Sequence, residues 1–154
     1  MKTYSRLTLA FLLLILFVPQ VGADGPPENG PYVEYYDDGK KKYEGHYKDG
    51  KKDGRWTEWY ENGQKFWEIH YKVGEQDGLE TKWWMNGQKS SEIHYKNGKK
   101  DGLFTVWREN GQKFLEIHYK DGEMEGLETQ WHENGKKKSE VQYKNGKEVS
   151  RKEF

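Results

Sequence analysis

The sequence predicts an all-β fold: an elongated antiparallel β-meander built of five 24-residue β-hairpin repeats that follow an N-terminal signal helix. The pentapeptide EIHYK recurs at Glu68–Lys72, Glu92–Lys96 and Glu116–Lys120, at a constant spacing of 24 residues. Asn-Gly pairs lie between segments rich in aromatic and β-branched residues, which is the strongest short-range signal for a hairpin. No apolar period of 3.6 residues follows the N-terminal segment, so helices are not expected after it.

Residues 1–23 have the pattern of a secretory signal peptide. Two basic residues precede the apolar run Leu7–Val18, and small residues end at Ala23, just before Asp24. A run of this length spans about 18 Å as a helix, which is short of the ~30 Å hydrocarbon core of a membrane. We therefore expect cleavage after Ala23 and a secreted or periplasmic mature chain with no membrane span.

The rest of the chain divides into a linker and a repeat domain. Residues 24–34 hold three of the four prolines and are predicted to be a Pro/Gly linker, with residues 31–35 as a half copy of the repeat. Residues 35–154 form the predicted repeat domain. Its last copy has Ser150 in place of a recurring Gly, and degenerate ends are typical of repeat arrays because terminal units face water. The copies are residues 36–59, 60–83, 84–107, 108–131 and 132–154.

Composition excludes several classes of protein. The 154 residues contain 26 Lys and Arg and 26 Asp and Glu, so the chain lacks the basic excess of a nucleic-acid-binding protein. Aromatic residues make up 16% of the chain, which argues against disorder despite the high charge. There is no Cys, so the fold has neither disulfides nor a thiolate zinc site. Packing and backbone hydrogen bonds must hold the strands together.

The segment Trp84–Gly102 reads WMNGQKSSEIHYKNGKKDG, and its pattern recurs in each copy. It resembles the MORN repeat, in particular the variant found in bacterial antitoxins of the YwqK family. The resemblance covers residues 36–148. It implies a hairpin array that acts as a platform for protein–protein interaction, with an antitoxin-like or immunity-like role as one version. The export signal departs from the cytoplasmic setting of those antitoxins.

Strand alternation divides the side chains between two faces. Ile69 and Tyr71 share a face of one strand, and Thr81 and Trp83 share a face of the next. A two-residue turn at Asn-Gly would set these apolar sets against charged ones. We expect instead a one-residue bulge beside the turn, which places Ile, Tyr, Leu, Thr and Trp on one structural face. The other face would then be variable and rich in Glu, His and Lys.

The recurring His and Glu residues are not expected to bind metal or to catalyse a reaction. Strands of the same type lie about 9.6 Å apart, and no Cys or clustered carboxylate completes a zinc ligand set. Equivalent Glu and His pairs on an open sheet also lack the asymmetric pocket that an enzyme needs. We therefore predict no cofactor, no metal site and no catalytic residue. The recurring histidines are His46, His70, His94 and His118.

Three repeat positions, those of Trp56, Phe66 and Trp67, alternate between apolar and polar residues with a period of 48. The first carries Trp56, Glu80, Phe104 and Glu128 in successive copies, and the other two begin with Phe66 and Trp67. Duplication of a two-copy unit explains the alternation. Aromatic residues on the variable face would mark an interface, or would pack a curved sheet or a homodimer; both interpretations stay open. The predicted partner-binding residues are Trp56, Tyr60, Phe66, Trp84, Phe104 and Phe114.

Together these patterns favour an exported, non-enzymatic module that binds a protein partner of unknown identity. In the alternative, the repeat aromatics stack on a cell-envelope glycan or a choline-type ligand. A membrane-surface role is disfavoured because Glu alternates with Lys throughout the repeats, whereas anionic lipids attract clustered Lys and Arg.

Protein recovered from its native host is expected to begin at Asp24, because signal peptidase recognises the small side chains that end at Ala23. N-terminal sequencing measures this directly. A matched variant, Ala23→Phe, is expected to leave the precursor uncleaved. Full-length wild-type chain in the cytosol would contradict the export prediction.

Overall fold

The computed structural model describes residues 25–154, which form one antiparallel sheet. Each long strand pairs with the next along the chain, and the short β5 and β8 pair with β4 and β7 at the start of hairpins. The predicted all-β meander of hairpin repeats is therefore confirmed. The strands are β1 (Gly30–Tyr35), β2 (Lys41–Lys48), β3 (Lys51–Trp59), β4 (Lys65–Lys72), β5 (Glu75–Gln76), β6 (Gly78–Trp83), β7 (Lys89–Lys96), β8 (Lys99–Lys100), β9 (Gly102–Trp107), β10 (Lys113–Lys120), β11 (Glu123–Trp131), β12 (Lys137–Lys144) and β13 (Lys147–Glu153).

The predicted signal helix and its cleavage site at Ala23 lie outside the described residues. Within residues 25–154 there is no helix long and apolar enough to cross a membrane.

The predicted linker 24–34 is shorter than the sequence suggested. Residues 30–34 belong to β1, which pairs with β2 and places Tyr32 opposite Gly45. Pro31 is tolerated there because β1 is an edge strand, so its missing N–H breaks no bond between two neighbouring strands. The ordered array thus begins at Gly30.

Hairpins on one side of the sheet close with two-residue turns. Lys72 pairs with Glu75, and the two residues between them, Val73 and Gly74, have φ values of 53° and 87°. Positive φ at both central residues is what a type I′ turn requires. We call this side of the sheet the type I′ edge. The residues equivalent to Val73 are Asp49, Asn97, Asp121 and Asn145.

Hairpins on the opposite side, which we call the Asn-Gly edge, close with three-residue loops. The Tyr60 N–H donates to the Gln64 carbonyl (2.8 Å), and the Gly63 N–H donates to the Tyr60 carbonyl (2.9 Å). Asn62 keeps negative φ and accepts the Gln64 N–H at Oδ1 (3.0 Å). Asn-Gly therefore forms a different turn from the two-residue type that its sequence suggested.

The three-residue loop changes the pairing register by one residue, and a bulge between Glu58 and Trp59 changes it back. The two irregularities cancel, so Trp56 lies opposite Ile69 while Thr57 lies opposite Glu68. The predicted grouping of Ile with Thr and Trp is wrong for this reason. The bulge exists, but it restores the register that a simple two-residue turn would give.

We name the two faces by their central rows. The Ile face carries Ile69 and its equivalents, with the Tyr71 series beside them. The Glu face carries a row in which Glu and Thr alternate from strand to strand, as in Thr57–Glu68 and Thr81–Glu92. Each face buries a central stripe and exposes its margins. The buried side chains are Trp56, Ile69, Glu80, Ile93, Ile117, Glu128, Ser139 and Val141 on the Ile face and Thr57, Thr81, Thr105 and Thr129 on the Glu face.

In the last strand, β13, the side chains point to the opposite faces of the sheet from those of the equivalent residues in earlier copies. In an inner hairpin, a bulge at Gly126 (φ 100°) changes the register by two residues and preserves the faces. Ser150 replaces this glycine in β13, and the register there changes by one, so Arg151 lies opposite Val141. A one-residue change places every following side chain on the other face. The result is a fully exposed, charged edge strand, which resists pairing with other chains.

Val73→Asn is expected to stabilise the protein by about 1 kcal/mol, because a β-branched residue is strained at positive φ and Asn tolerates that conformation. Val73 is exposed, so the change removes little packing. Urea denaturation of the two chains measures the difference. Asn97→Val, at the equivalent position, is the matched control and should destabilise by a similar amount. An unchanged or lower midpoint for Val73→Asn would refute the strain.

Candidate functional site

The six predicted partner-binding residues lie in two different parts of the sheet. Trp56 and Phe104 lie on the Ile face, Trp56 directly opposite Ile69 and Phe104 opposite Ile117. The other four lie at or next to the Asn-Gly edge. Those four are Tyr60, Phe66, Trp84 and Phe114.

Trp56 is a core residue with 2% of its surface exposed. Its ring stacks on Tyr32 (centroids 5.6 Å apart), and its Nε1 donates to the His46 carbonyl (3.2 Å). Gly45 occupies the position that holds Ile or Val in later copies, and a Cβ there would overlap the Trp56 ring. The expectation that Trp56 lies on an exposed face is therefore wrong, because glycine leaves room for the indole to pack over the strand.

Phe104 packs in a similar way and is half-buried. Lys100 places its Nζ 4.9 Å from the Phe104 ring centroid, and Lys52 lies 4.2 Å from the Trp56 ring. Copies that carry Glu at this position have Gln76 or Met124 where these lysines stand. The alternation thus extends to a further position, at which Lys covers the aromatic rings. At Trp56 and Phe104 the structure favours packing over an exposed interface.

The Asn-Gly edge is held together by hydrogen bonds between successive loops. Tyr60 Oη donates to the Trp83 carbonyl (2.9 Å), Trp84 Nε1 to the Trp107 carbonyl (3.1 Å), and Arg108 Nη2 to the Trp131 carbonyl (3.0 Å). These bonds link each loop to the strand end of the next hairpin. The loops therefore form a fixed surface, with a spacing set by the strands beneath them.

Asparagine side chains add a second set of bonds along the same edge. Asn62 Nδ2 donates to the Met85 carbonyl (3.1 Å), and Asn86 Nδ2 donates to the Glu109 carbonyl (2.8 Å). The Met85 carbonyl is thus held by a hydrogen bond while the residue as a whole stays 66% exposed.

A groove runs along this edge around Met85. Two adjoining open hollows of about 620 and 660 Å³ share Tyr60 and Met85 in their walls. Trp84 and Glu109 line one hollow, and Glu61 lines the other. We call this surface the Met85 groove. It brings two predicted residues, Tyr60 and Trp84, to one site.

Met85 is the functional candidate that sequence reasoning missed. The same loop position carries Asp37, Glu61, Glu109 and Glu133 in the other copies, so Met85 is one apolar residue in an acidic row. The sequence does contain a signal for it, namely that the acidic residue found at this position in the other copies is replaced by Met in the central copy. A flexible, polarizable side chain exposed in this way is typical of adaptable binding surfaces.

The groove has a negative electrostatic character. Among the described residues, the Glu61 and Glu109 carboxylates form no ion pair. Lys40 also lines the groove and donates to the Glu61 carbonyl (2.9 Å), but Asp38 neutralises it in an ion pair (2.6 Å), so the two free carboxylates leave an excess of negative charge. Burial raises the pKa of Tyr60, and the charges of Glu58 and Glu109 raise that pKa further. Carboxylates that act on the groove tyrosine in this way make the site attractive to cations.

Phe66 and Phe114, the two remaining predicted residues, lie beside the groove. The Phe66 ring packs on Tyr60 (centroids 4.9 Å apart), and the Arg108 guanidinium lies 4.6 Å from the Phe114 ring centroid. Arg108 also donates to the Trp131 carbonyl, so its charge is engaged with the next copy. Phe66 thus contacts the groove residue Tyr60, whereas Phe114 contacts Arg108, the chain neighbour of Glu109, and neither phenylalanine lines the groove.

The recurring histidines lie exposed on the Glu face. In the part of the chain that the structure describes, no three His, Asp or Glu side chains converge as a metal site would require. His118 Nδ1 lies 3.0 Å from the Leu127 carbonyl, and a Cβ at Gly126 would contact His118 Cβ at 3.5 Å. His118 thus packs beside the bulge glycine.

Comparison with protein families identifies the repeat. A family model described as "MORN repeat variant" matches residues 28–49, 52–72, 76–97, 100–121 and 124–145, together more than half of the chain. Each matched unit contains one loop of the Asn-Gly edge with the strands on both sides of it, and in the first unit this loop carries Asp38-Gly39 in place of Asn-Gly. The first unit includes β1, which agrees with an array that begins before residue 35. No curated protein matches the chain.

Trp56→Ala is expected to lower the free energy of unfolding by about 3–5 kcal/mol, because it leaves a cavity beside Gly45. Thermal or urea denaturation measures the loss without any partner. Val149→Ala, on the exposed β13, is a control that should change stability little. A Trp56→Ala protein with wild-type stability would contradict the assignment of Trp56 to the core.

Proposed function

Because the chain belongs to the MORN repeat variant family, we propose that it is an exported, non-enzymatic interaction module that binds a protein partner through the Met85 groove. The observation that carries this proposal is the exposed Met85 beside Trp84, in the central one of five copies. Elsewhere in the acidic row this loop position is charged.

The shape of the groove supports a macromolecular partner. Both hollows are open along the edge of the sheet, as a surface that receives a peptide or a protein would be. Its aromatic and methionine side chains are of the kind that contribute most binding energy at protein interfaces. The bonds from Tyr60 and Trp84 to the next copy hold the site in shape before binding, which lowers the entropic cost of association.

An immunity-like or antitoxin-like role is the finer version of this proposal. In that version the groove covers a functional surface of another exported protein. The signal pattern in residues 1–23 supports a partner outside the cytoplasm. A second copy of the chain is a further candidate partner, and sedimentation analysis separates a homodimer from a complex with a different protein.

A choline-type ligand is the second candidate, favoured by one observation. Tyr60 and Trp84 lie with Glu61 and Glu109 along one groove, and aromatic rings with carboxylates bind quaternary ammonium groups. The open groove surrounds such a small ligand less completely than a cage of rings would. A protein partner therefore has the stronger support.

Met85→Glu is expected to weaken partner binding strongly, because it replaces the exposed apolar contact at the centre of the groove with a hydrated carboxylate. The change is well suited to a test, since Glu occupies this loop position in other copies and the side chain is exposed. We expect at least about a tenfold loss of affinity for the captured partner, as for a hot-spot residue. Capture from envelope extract, followed by titration with the purified partner, measures it.

Val149→Glu is the matched control, since Val149 is a similarly exposed apolar residue on β13, away from the Asn-Gly edge. It should leave both affinity and melting temperature unchanged. Equal capture by Met85→Glu and wild type would refute the groove as the binding site. Capture that survives protease treatment of the extract, and that free choline competes away, would favour the small-ligand alternative.

A further inference from the structure

We infer that the Met85 groove takes a basic segment in the polyproline II conformation, with one turn of the segment per repeat of the sheet. This inference rests on the proposed function and adds the chemistry and conformation of the partner.

The spacing of the edge matches this conformation. Successive loops are two strands apart, about 9.6 Å. A polyproline II helix has three residues per turn and a rise of about 3.1 Å per residue, so its pitch is about 9.3 Å. Side chains at every third position of such a segment therefore meet equivalent points on successive loops. A β-strand does not, because its side chains three positions apart point to opposite faces.

The groove also offers the surface that such segments bind. Tyr36, Tyr60 and Trp84 occupy the same position in three successive copies. Each makes the same bond to a tryptophan carbonyl in the next hairpin, so the rings recur at the loop spacing. Grooves lined by regularly placed aromatic residues are a recurrent way to bind polyproline II segments, because these enter with little loss of entropy.

The free carboxylates of the groove indicate that the bound segment is basic. Glu61 lies one repeat before Met85 and Glu109 one repeat after it, and both carboxylates are exposed and free of ion pairs within residues 25–154. The acidic row continues outward to Asp37 and Glu133. Lys or Arg in a partner can pair with these carboxylates and can also lie over the rings of Tyr60 and Trp84.

Position and charge together define a pattern. An apolar side chain lies on Met85, and basic side chains three positions before and after it reach Glu61 and Glu109, about 19 Å apart. The pattern is basic-x-x-apolar-x-x-basic, with proline favoured at the intervening positions because it fixes the conformation.

The probe is the synthetic peptide PKPPLPPKP, titrated into the purified full chain and followed by chemical shifts of groove residues. We expect binding at the groove that is about tenfold tighter than that of PEPPLPPEP and that weakens with added salt. The peptide PPKPLPKPP keeps composition and charge but changes the spacing, and it should bind several-fold more weakly. Equal binding of all three peptides would overturn the inference.

Variants of the protein test the same contacts from the other side. Glu61→Gln and Glu109→Gln are each expected to weaken PKPPLPPKP by about threefold, as loss of an exposed ion pair would. Glu75→Gln removes an exposed carboxylate from the type I′ edge and should have no effect. Equal loss in all three variants would indicate a general charge effect and would also overturn the inference.

The outcomes separate this inference from the proposed function. If Met85→Glu abolishes capture of the native partner while the peptides do not bind, the groove is an interaction site for a different kind of segment. If Met85→Glu leaves capture intact, the proposed function itself fails. Peptide binding that shifts resonances outside the groove counts against the inference, because the pattern was derived from the loop spacing.

Discussion

The pairing register set at each Asn-Gly loop decides what the rest of the sheet buries. A three-residue loop from Tyr60 to Gln64 changes the register by one, and the bulge at Trp59 changes it back. Without the bulge, Trp56 would lie opposite Glu68 and Thr57 opposite Trp67, and the apolar and polar rows would be mixed across the hairpin. The same loop hydrogen bonds recur at 24-residue intervals from Tyr36 to His132, so the whole array depends on one local geometry.

Both faces of this sheet are half-exposed. Its stability therefore depends on a row of buried side chains along the middle of each face and on longer side chains that cover this row. Lysine stems serve this purpose on both faces: Lys52 lies over Trp56 on the Ile face, and Lys65 lies over Trp83 while it pairs with Glu68 (2.6 Å) on the Glu face. The Lys52 ammonium is partly withdrawn from water over the ring, and this burial lowers the pKa of Lys52. The many lysines of this sequence therefore help the sheet to bury its apolar groups. The groups that they cover are largely its aromatic rings.

The period, the strands and the antiparallel order could be predicted from the sequence because turn residues and strand residues recur at fixed spacing. The assignment of side chains to faces could not be predicted. It depends on whether the register shifts of the loop and of the bulge add or cancel, and neither the EIHYK motif nor the Asn-Gly pair indicates which. The two turn types show the difficulty, since Asn62-Gly63 forms the longer loop while Val73-Gly74 forms the type I′ turn. The burial of Trp56 depends on the absence of a side chain at Gly45, which has meaning only once the register is known.

Differences between copies of a repeat identify a binding site only where packing does not explain them. Trp56 occupies the position that Glu80 has in the next copy. Gly45 makes room for the indole and Lys52 covers it, so core packing explains this difference. Met85 differs from Glu61 and Glu109 with no such compensation, because its side chain is exposed and its backbone makes the bond that this loop requires. A rigid array thus holds one loop position at which the side chain is free to change, and recognition concentrates at such positions on a fixed scaffold.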